Sequence, residues 1–518
     1  MDSNVKISFP AFKNFMFFAT LFLVVFSLGF RFHNFDYDLW ARLIQGAHVS
    51  EFHAPLEVDF YSFTPTHTWY DPEWISSWII YLIQSKFGTV GLVVFNCLSF
   101  YFLLCLIVFL LYKLTIKNKP CNLFYFSTIC AIVTLNHVLI SFVRCQIFTF
   151  ILFALWLYLL ETIRKGKIKN CIFLPFIMLF WLNTHGGCIA GVGVLFLYII
   201  GEILNKKPFK HLLITFFVTC LMFLINPWGI EYIKFIFDSA VINRSFISEW
   251  NTFFNVIPIE INPYFYFLLF AIFSYIFQIF KTKQTIFTLD KVKLILTIVL
   301  TYLSIKYLKH VALALVFFSM FLFDDIMETL KALFKWVNIK FLKSLVIIFY
   351  FILFSYSSLV LLAYSFDASY KKAFFDKYPI EAMEFLKANN YSGKLFTHFH
   401  YGSFIGYKYS PNFKIHVDGR QEQVYYDGLL KEQYDFIQQI NKDLILKKYA
   451  PDFIMLDLEY IANYELSKNK DYFLLYGDKK VNIYALNKHK KKKYAKVQLD
   501  KDKFLEEIFK TNVKFKKD

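Results

Sequence analysis

The sequence predicts a polytopic α-helical membrane protein that carries a small α/β domain at its carboxyl-terminal end. Three observations lead to this fold class. The 518 residues are 57% hydrophobic with a mean hydropathy of +0.45, which is too apolar for a water-soluble globule. The basic residues, which give a net charge of +17, fall in short clusters between apolar runs. After residue 364 the long apolar runs stop, and short strand-like and helix-like segments alternate.

Apolar runs long enough to span a bilayer begin at Phe15, and the sequence predicts about eleven of them. No small-residue cleavage site follows the first run, which favours a retained helix over a removed signal peptide. Residues 75–87 are predicted to form an interfacial helix, and residues 325–342 an amphipathic stretch on the cytoplasmic side. The predicted spans cover residues 15–30, 90–112, 123–140, 146–160, a short run ending at 181, a run ending near 203, and then 212–225, 264–280, 294–307, 312–322 and 345–364.

The distribution of basic residues predicts the topology. Lys6 and Lys13 precede the first span and place the amino terminus in the cytoplasm. From that start, the basic clusters of the short loops all fall on the cytoplasmic side, which favours a bilayer rather than a nucleic acid as the partner of the positive charge. Two domains follow: residues 1–364, a transmembrane helical domain with an acidic first outer loop at 32–74, and residues 365–518, an extracytoplasmic α/β domain.

The α/β domain is predicted from five β-prone runs that alternate with helical patterns. No glycine-rich phosphate loop follows any of these runs, so the sequence gives no support for nucleotide binding. The eight cysteines never occur as a CxxC pair, which argues against a zinc site or a disulfide framework. The predicted strands are residues 393–398, 414–418, 452–456, 471–476 and 480–486, and the predicted helices are residues 380–388, 429–440 and 444–449.

The loop from Asp36 to Trp74 is the first candidate for chemistry, because it holds seven carboxylates in a basic protein. Asp36 and Asp38 are two residues apart. In an extended segment their side chains point the same way and could share a divalent cation, Mg²⁺ or Mn²⁺. Asp36, Asp38 or Glu73 could also take the proton of an acceptor group. Glu51 and Glu57 are interpreted as ordinary solvated acids.

Polar residues near the ends of the predicted spans form the second group of candidates. Ionisable groups at membrane depth are costly and often mark a site, and the topology puts these on the outer side. Arg144 and His185 could bind a phosphate, with a structural bond to a helix end as the alternative for each. The group consists of Asp36, Asp38, Glu73, His137, Arg144, Asn183, His185, Asn226, Glu249, Lys309 and His310.

Several strings resemble a known family of membrane enzymes. The first outer loop, with DYDLWARLIQG from Asp36, DFYSFTPTHTW from Asp59 and DPEW from Asp71, is similar to that of bacterial multi-pass proteins grouped with the GT-C superfamily of membrane glycosyltransferases. The similarity covers most of the chain, except the cytoplasmic loops and roughly the last 90 residues. The other matching strings are RCQIFTF (144–150), LNTHGG (182–187), INPWG (225–229), SEW (248–250), KHVAL (309–313) and HVDGR (416–420).

The resemblance implies a helical bundle in a bacterial cytoplasmic membrane with the carboxyl-terminal domain in the periplasm. It also implies a polyprenyl-phosphate-linked sugar as donor, an acidic catalytic residue at Asp36 or Asp38, and Arg42, Trp74 and Trp250 as further residues lining the site. Two departures matter. This chain has Ala41 and Arg42 where the group often has Trp-His, and Pro72 where it often has His. A base or metal role for those histidines is therefore not available here.

Three classes of function follow. The first is a glycosyltransferase that moves a sugar from a lipid phosphate to a glycan, lipid or protein on the outer face. The second is a transporter of lipid-linked saccharides, which would predict mid-span charges and repeated halves; the sequence shows neither clearly. The third is a non-enzymatic assembly protein, which would leave Asp36 and Asp38 without a role.

Overall fold

The chain is described by a computed structural model that covers residues 9–31, 35–111, 113–114, 143–242, 244, 247–256, 263–333, 339–363, 366–438, 440 and 442–508. The helices of eight or more residues in these ranges are, in chain order, α1 (Phe9–Arg31), α2 (Leu39–Phe52), α3 (Trp74–Leu111), α4 (Gln146–Arg164), α5 (Phe173–Leu182), α6 (Cys188–Leu204), α7 (Lys210–Leu221), α8 (Ile230–Val241), α9 (Pro263–Lys281), α10 (Lys291–Lys306), α11 (Val311–Phe321), α12 (Phe323–Leu333), α13 (Ile339–Ala363), α14 (Phe366–Lys377), α15 (Ile380–Ala388), α16 (Phe399–Tyr409), α17 (Leu429–Ile437), α18 (Lys442–Tyr449) and α19 (Lys501–Ile508). The strands are β1 (Gly393–Thr397), β2 (Phe413–Ile415), β3 (Phe453–Asp457), β4 (Tyr472–Gly477) and β5 (Val481–Leu486).

The chain divides into two compact units that do not follow the order of the sequence. The first, here called the helical unit, contains Met1–His33, Val93–Ile225 and Arg244–Ser365. The second, called the mixed unit, contains Asn34–Leu92, Asn226–Asn243 and Phe366–Asp518. The acidic first loop thus belongs to the same compact unit as the carboxyl-terminal segment.

Apolar helices occupy the predicted spans within the described residues, while the third span (123–140) and His137 lie outside them. Within the described ranges, three helices are long and apolar enough to cross a membrane: Trp74–Leu111, Gln146–Arg164 and Tyr264–Lys281. A fourth crossing could be formed by Leu308–Phe321 and Phe323–Leu333, which meet at a bend of 66°. The helical membrane character is therefore confirmed, and the number of eleven crossings stays a prediction.

Helix α3 contains the break that the sequence predicts between an interfacial helix and the second span. At Gly88 the backbone has φ 61° and ψ −156°, which is not helical. Glycine takes a positive φ at little cost because it has no Cβ. The interfacial segment and the span are accordingly two helices joined at Gly88.

The helical unit is held together by a charged centre as well as by apolar packing. Arg164, at the end of α4, contacts Glu161 at 2.8 Å, Glu202 of α6 at 2.9 Å and Asp290 at 2.9 Å. Asp290 is the N-cap of α10, whose Val292 lies directly against Gly201. One guanidinium therefore ties three helices together.

The mixed unit contains one five-stranded sheet in the order β2-β1-β3-β5-β4. Strand β1 is parallel to β2 and β3, and β5 is antiparallel to β3 and β4. Each predicted β-prone run coincides with an observed strand, and the predicted helices coincide with α15, α17 and α18. The prediction of a small α/β domain is confirmed.

Helix α16 was not expected from the sequence, because its glycines and aromatic residues are poor helix formers. The helix uses those glycines for close packing. A Cβ at Gly402 would overlap Val417 and Asp418, and a Cβ at Gly406 would overlap the ring of Tyr61. Tertiary contacts therefore decide the conformation here.

Part of the acidic loop extends the sheet. Phe63 N donates to Ile415 O at 2.9 Å, and Ile415 N donates to Tyr61 O at 2.8 Å, so the loop runs beside β2. Further along, His67 N donates to Val424 O at 3.0 Å. Backbone pairing with the carboxyl-terminal segment thus fixes the middle of the loop.

Candidate functional site

Arg42 lies in a buried ion-pair cluster of the mixed unit, called here the Arg42 cluster (Arg42, Asp71, Glu73 and Gln423). Its Nη1 is 2.5 Å from Asp71 Oδ1 and 2.9 Å from Glu73 Oε2. Its Nη2 donates to Gln423 Oε1 at 3.1 Å. The side chains of Arg42 and Asp71 are only 6% and 0% exposed. Arg42 was predicted to bind substrate; in the structure its charge is balanced by two carboxylates of its own loop.

Glu73 is a carboxyl group of the loop whose pKa is raised by its surroundings. The pKa of Glu73 is raised to about 7: burial is the main cause, Arg42 opposes the rise, and the nearby carboxylates Asp71 and Glu422 add to it. A carboxyl group with a pKa near the working pH can accept and return a proton efficiently. The environment of Glu73 therefore suits a proton-transfer role.

Asp36 and Asp38 do not share one environment. Asp36 is 3% exposed, whereas Asp38 is exposed at the N-cap of α2. Asp38 has helical angles (φ −77°, ψ −17°), so the segment is a turn that enters a helix and not an extended strand. The extended geometry on which the shared-cation argument relied is therefore not observed. A local helix start replaces it because Leu39 is already in α2.

The fit of a divalent cation can be tested on the donor groups near these carboxylates. Among the described residues, no group of three or more His, Cys, Asp or Glu is placed to hold a metal ion. A cation on Asp36 and Asp38 would complete its shell with oxygen atoms of water or of a substrate. The carboxylate of Asp38 lies against Gly419, where a Cβ atom would overlap it.

The Arg420 network (Asp59, Tyr61, Asp418, Arg420 and Tyr425) is a fully buried charged group of the mixed unit. Arg420 Nη1 is 2.8 Å from Asp59 Oδ1, and its Nε is 2.9 Å from Asp418 Oδ1. Tyr61 and Tyr425 donate hydroxyl hydrogen bonds to Asp418 at 3.0 and 3.1 Å. Asp418 and Arg420 of the HVDGR string thus bind Tyr61 and Asp59 of the DFY string in the loop.

The helical unit gathers several predicted residues around one indole, called here the Trp250 cluster (Arg144, Arg244, Glu249, Trp250 and Lys309). Lys309 Nζ is 2.9 Å and Arg244 Cζ is 4.4 Å from the centre of the Trp250 ring. Arg144 forms an ion pair with Glu249, and these two side chains are 29% and 38% exposed. Two cations therefore lie over the indole, and a third pairs with the carboxylate of the adjacent Glu249. Sequence reasoning missed Arg244, which no motif marked.

His185 forms a second polar group beside the first turn of α4. Its Nδ1 accepts from Gly187 N at 2.9 Å and pairs with Thr149 Oγ1 at 2.8 Å. Thr149 Oγ1 also accepts from Trp181 Nε1 at 2.8 Å. Because Nδ1 accepts from an amide, the ring carries its proton on Nε2. This network orients Nε2 as the donor of the imidazole.

The remaining predicted residues make mainly local contacts. Asn183 Nδ2 donates to Leu179 O at 2.9 Å, as expected for a helix-end bond. Asn226 Oδ1 accepts from Trp228 N at 2.8 Å and closes a turn. Trp74 is half-buried at the start of α3. His310 packs edge-on against Tyr307, whose ring contacts Trp250 at 5.8 Å. His310 therefore adjoins the Trp250 cluster through one aromatic ring.

Comparison with known proteins gives fold relatives. No family model and no curated sequence matches the chain. The archaeal oligosaccharyltransferase AglB of Archaeoglobus fulgidus, in complex with an inhibitory peptide and a dolichol-phosphate, is 10% identical, with a TM-score of 0.55 over 86% of this chain and 70% of that chain. The apo form of the Archaeoglobus fulgidus oligosaccharyltransferase gives 0.52 at 9% identity, over 85% and 69%.

A smaller enzyme is also similar over nearly its whole length. ArnT from Cupriavidus metallidurans, bound to undecaprenyl phosphate, is 10% identical and gives a TM-score of 0.50 over 92% of this chain and 98% of that chain. AglB and ArnT are GT-C superfamily membrane glycosyltransferases. The similarity expected from the sequence motifs is thus confirmed at the level of the fold, and the chain has the fold of the GT-C membrane glycosyltransferases.

Proposed function

We propose that the protein is a membrane glycosyltransferase that transfers a sugar from a polyprenyl-phosphate-linked donor to an acceptor on the extracytoplasmic face. The fold relatives support the donor class, since AglB was solved with a dolichol-phosphate and ArnT with undecaprenyl phosphate. In this proposal the amino terminus is cytoplasmic and the carboxyl-terminal domain is extracytoplasmic. The acceptor is a glycan, a lipid or a protein.

The observation that carries the proposal is the Trp250 cluster. Arg144 pairs with Glu249, and Arg244 and Lys309 lie over the ring of the adjacent Trp250. Arginine binds phosphate oxygen atoms through paired N–H groups, and lysine adds a point charge. This grouping of three cationic side chains suits the phosphate of a lipid-linked donor, whose prenyl chain would lie against apolar helices. His185, with Nε2 as donor, is a further phosphate contact in this proposal.

The chemistry assigned to the loop is a displacement at the anomeric carbon. The acceptor oxygen or nitrogen forms a bond to that carbon while the bond to the phosphate oxygen breaks, and polyprenyl phosphate leaves with the electron pair. The acceptor proton moves to a carboxylate, for which Asp36, Asp38 and Glu73 are the candidates. A divalent cation on Asp36 and Asp38, when bound, would neutralise phosphate charge.

Separate substitutions of Asp36→Asn and Asp38→Asn test this function. Membranes containing each variant are given radiolabelled polyprenyl-phosphate-linked sugars, and transfer to acceptor material is measured. Loss of a positioned general base is expected to lower transfer by about 10²–10⁴-fold in at least one variant. Glu51→Gln, an exposed acid of the same loop, is the matched control and should transfer normally. Because Glu73 is the third candidate base, Glu73→Gln is measured in the same way, and transfer at the wild-type rate in all three variants would contradict the proposal.

A further inference from the structure

The sheet of the mixed unit has a topological switch point between β1 and β3. From β1 the chain passes to β2 on one side of it, and then returns to β3 on the other side. All three strands are parallel, so the carboxyl ends of β1 and β3 lie at the same edge. Ligands of open α/β sheets bind in the crevice at such an edge. The residues that follow β1 and those that end β3 therefore lie where such a ligand would bind.

Those residues are polar and aromatic, and they converge. His398 follows β1 directly, and its ring stacks on that of Tyr460 at 5.7 Å between ring centres. Asp457 ends β3 and accepts a hydrogen bond from Tyr401 at 2.8 Å. His400 lies 4.4 Å from His398 between ring centres. His398, His400, Asp457 and Tyr460 are all half-buried, so solvent reaches the group.

A residue of the first loop completes this group. Tyr37 stacks face to face on His400, with 4.5 Å between ring centres and 6° between the planes. Lys377 Nζ lies 4.0 Å from the centre of the Tyr37 ring. Tyr37 stands between Asp36 and Asp38 in the chain, so its Cα is about 3.8 Å from each of theirs. The group adjoins the carboxylates proposed for proton transfer. We call Tyr37, Lys377, His398, His400, Asp457 and Tyr460 the switch-point cluster.

The charges of the cluster do not favour an anionic ligand. Burial lowers the pKa of His398 to about 3 and that of His400 to about 4, so both rings are neutral at pH 7. The first N–H groups of α16 are already used, because Phe399 N donates to Gln433 at 2.9 Å and His400 N to His398 Nδ1 at 3.3 Å. Asp457 contributes one negative charge to the cluster, and Lys377 contributes one positive charge. The cluster is therefore close to neutral.

We propose that the switch-point cluster binds a neutral saccharide ring. Aromatic faces pack against the C–H faces of a sugar, and the Asp457 carboxylate and the tyrosine hydroxyl of Tyr460 form hydrogen bonds with its hydroxyl groups. Resting on the glycosyltransferase function proposed above, this saccharide is the acceptor, which selects a glycan among the three acceptor classes.

Ligand-observed NMR on the full chain in lipid nanodiscs tests the proposal without any transfer reaction. The probes are glucose, galactose, mannose, N-acetylglucosamine, N-acetylgalactosamine and rhamnose, with inorganic phosphate as the anionic comparison. At least one saccharide is expected to bind, and Asp457→Asn and Tyr460→Phe should each weaken it about tenfold, the effect of one lost hydrogen bond of 1.4 kcal/mol. Tyr464→Phe, an exposed tyrosine on the same segment, is the matched control and should bind normally.

The outcomes separate this inference from the proposed function. Absence of saccharide binding by a protein that transfers sugar overturns the inference alone. Saccharide binding that survives both cluster variants, or phosphate binding that both variants abolish, also overturns it. Saccharide binding that depends on Asp457 and Tyr460 supports it even if no lipid-linked donor is used. Melting temperatures of the variants, compared with that of Tyr464→Phe, distinguish lost binding from lost folding.

Discussion

The mixed unit and the Trp250 cluster of the helical unit place arginine in different surroundings. In the mixed unit, Arg42 contacts two carboxylates and Arg420 contacts two, and their side chains are 6% and 0% exposed. In the helical unit, Arg144 pairs with the partly exposed carboxylate of Glu249, while Arg244 and Lys309 lie over the adjacent Trp250 ring. Buried cations with matched anions hold a fold together, whereas a partly exposed ion pair such as Arg144–Glu249 is accessible to an anionic ligand.

The largest expected effect comes from removing one of the buried arginines of the mixed unit. Arg420→Met leaves Asp59 and Asp418 buried without their cation, and removing one partner of a buried ion pair typically costs about 3–5 kcal/mol. We expect a large drop in the unfolding temperature of the full chain in detergent, measured by intrinsic fluorescence. Lys431→Met removes an exposed pair with Asp435 and should change stability by less than about 1 kcal/mol. Equal unfolding temperatures of the two variants would show that Arg420 does not stabilise the fold.

The next effect concerns the cations that lie over the Trp250 ring. Arg244→Met should weaken binding of undecaprenyl phosphate about 10–100-fold, because a charge-assisted hydrogen bond contributes about 1.5–3 kcal/mol. Binding is measured on the full chain in nanodiscs, where Lys281→Met, an exposed lysine of the same unit, serves as control. If Arg244→Met lowers the melting temperature and leaves lipid binding unchanged, Arg244 belongs with the structural arginines.

The same comparison shows what the sequence can reveal. The strands, most helices and the break at Gly88 follow from local hydropathy and glycine chemistry, and the structure has them. The pairing of Arg420 with Asp59 joins residues 361 positions apart, and no local pattern encodes it. Both lie in strings, HVDGR and DFYSFTPTHTW, whose resemblance to a family marked them without revealing that they touch.

The sequence could predict which types of residue form the candidate site, but not which of these residues contact one another. Arg144, Glu249, Trp250 and Lys309 stand out as polar or aromatic residues at span ends, and they do meet. Arg42 was marked by the family resemblance, yet its charge is balanced within its own loop by Asp71 and Glu73. Burial and counter-charge are tertiary properties, and they decide which of these cations is exposed to a ligand.

Glu73 offers a smaller effect that depends on pH. A base must be deprotonated, so with a pKa of about 7 transfer should rise with pH through 7 and fall about tenfold per unit below it. Glu73→Gln should remove this dependence along with most of the rate, whereas Glu57→Gln, an exposed acid of the same loop, should retain both. Initial transfer rates between pH 5.5 and 8.5 measure the profile. A flat profile in the wild type would assign the proton to Asp36 or Asp38.

The smallest expected effect concerns His416, a buried group of the mixed unit that, unlike Arg42 and Arg420, carries no charge. His416 is fully buried among the rings of Phe63, Phe396 and Tyr449, and its two nitrogen atoms have no hydrogen-bond partner among the described residues. Burial, with a smaller contribution from Lys448, lowers the pKa of His416 to about 3.

Because the unfolded chain binds this proton near pH 6.5 and the folded chain does not, stability falls as the pH drops below 6.5, by about 0.8 kcal/mol at pH 6 relative to pH 8. His416→Phe fills the same aromatic space without a titrating group. The difference in unfolding temperature between wild type and variant should therefore widen from pH 8 to pH 6, in favour of the variant. Parallel pH dependence in the two proteins would mean that the imidazole has a hydrogen-bond partner in solution, and that the site is polar like the Arg420 network beside it in the HVDGR string.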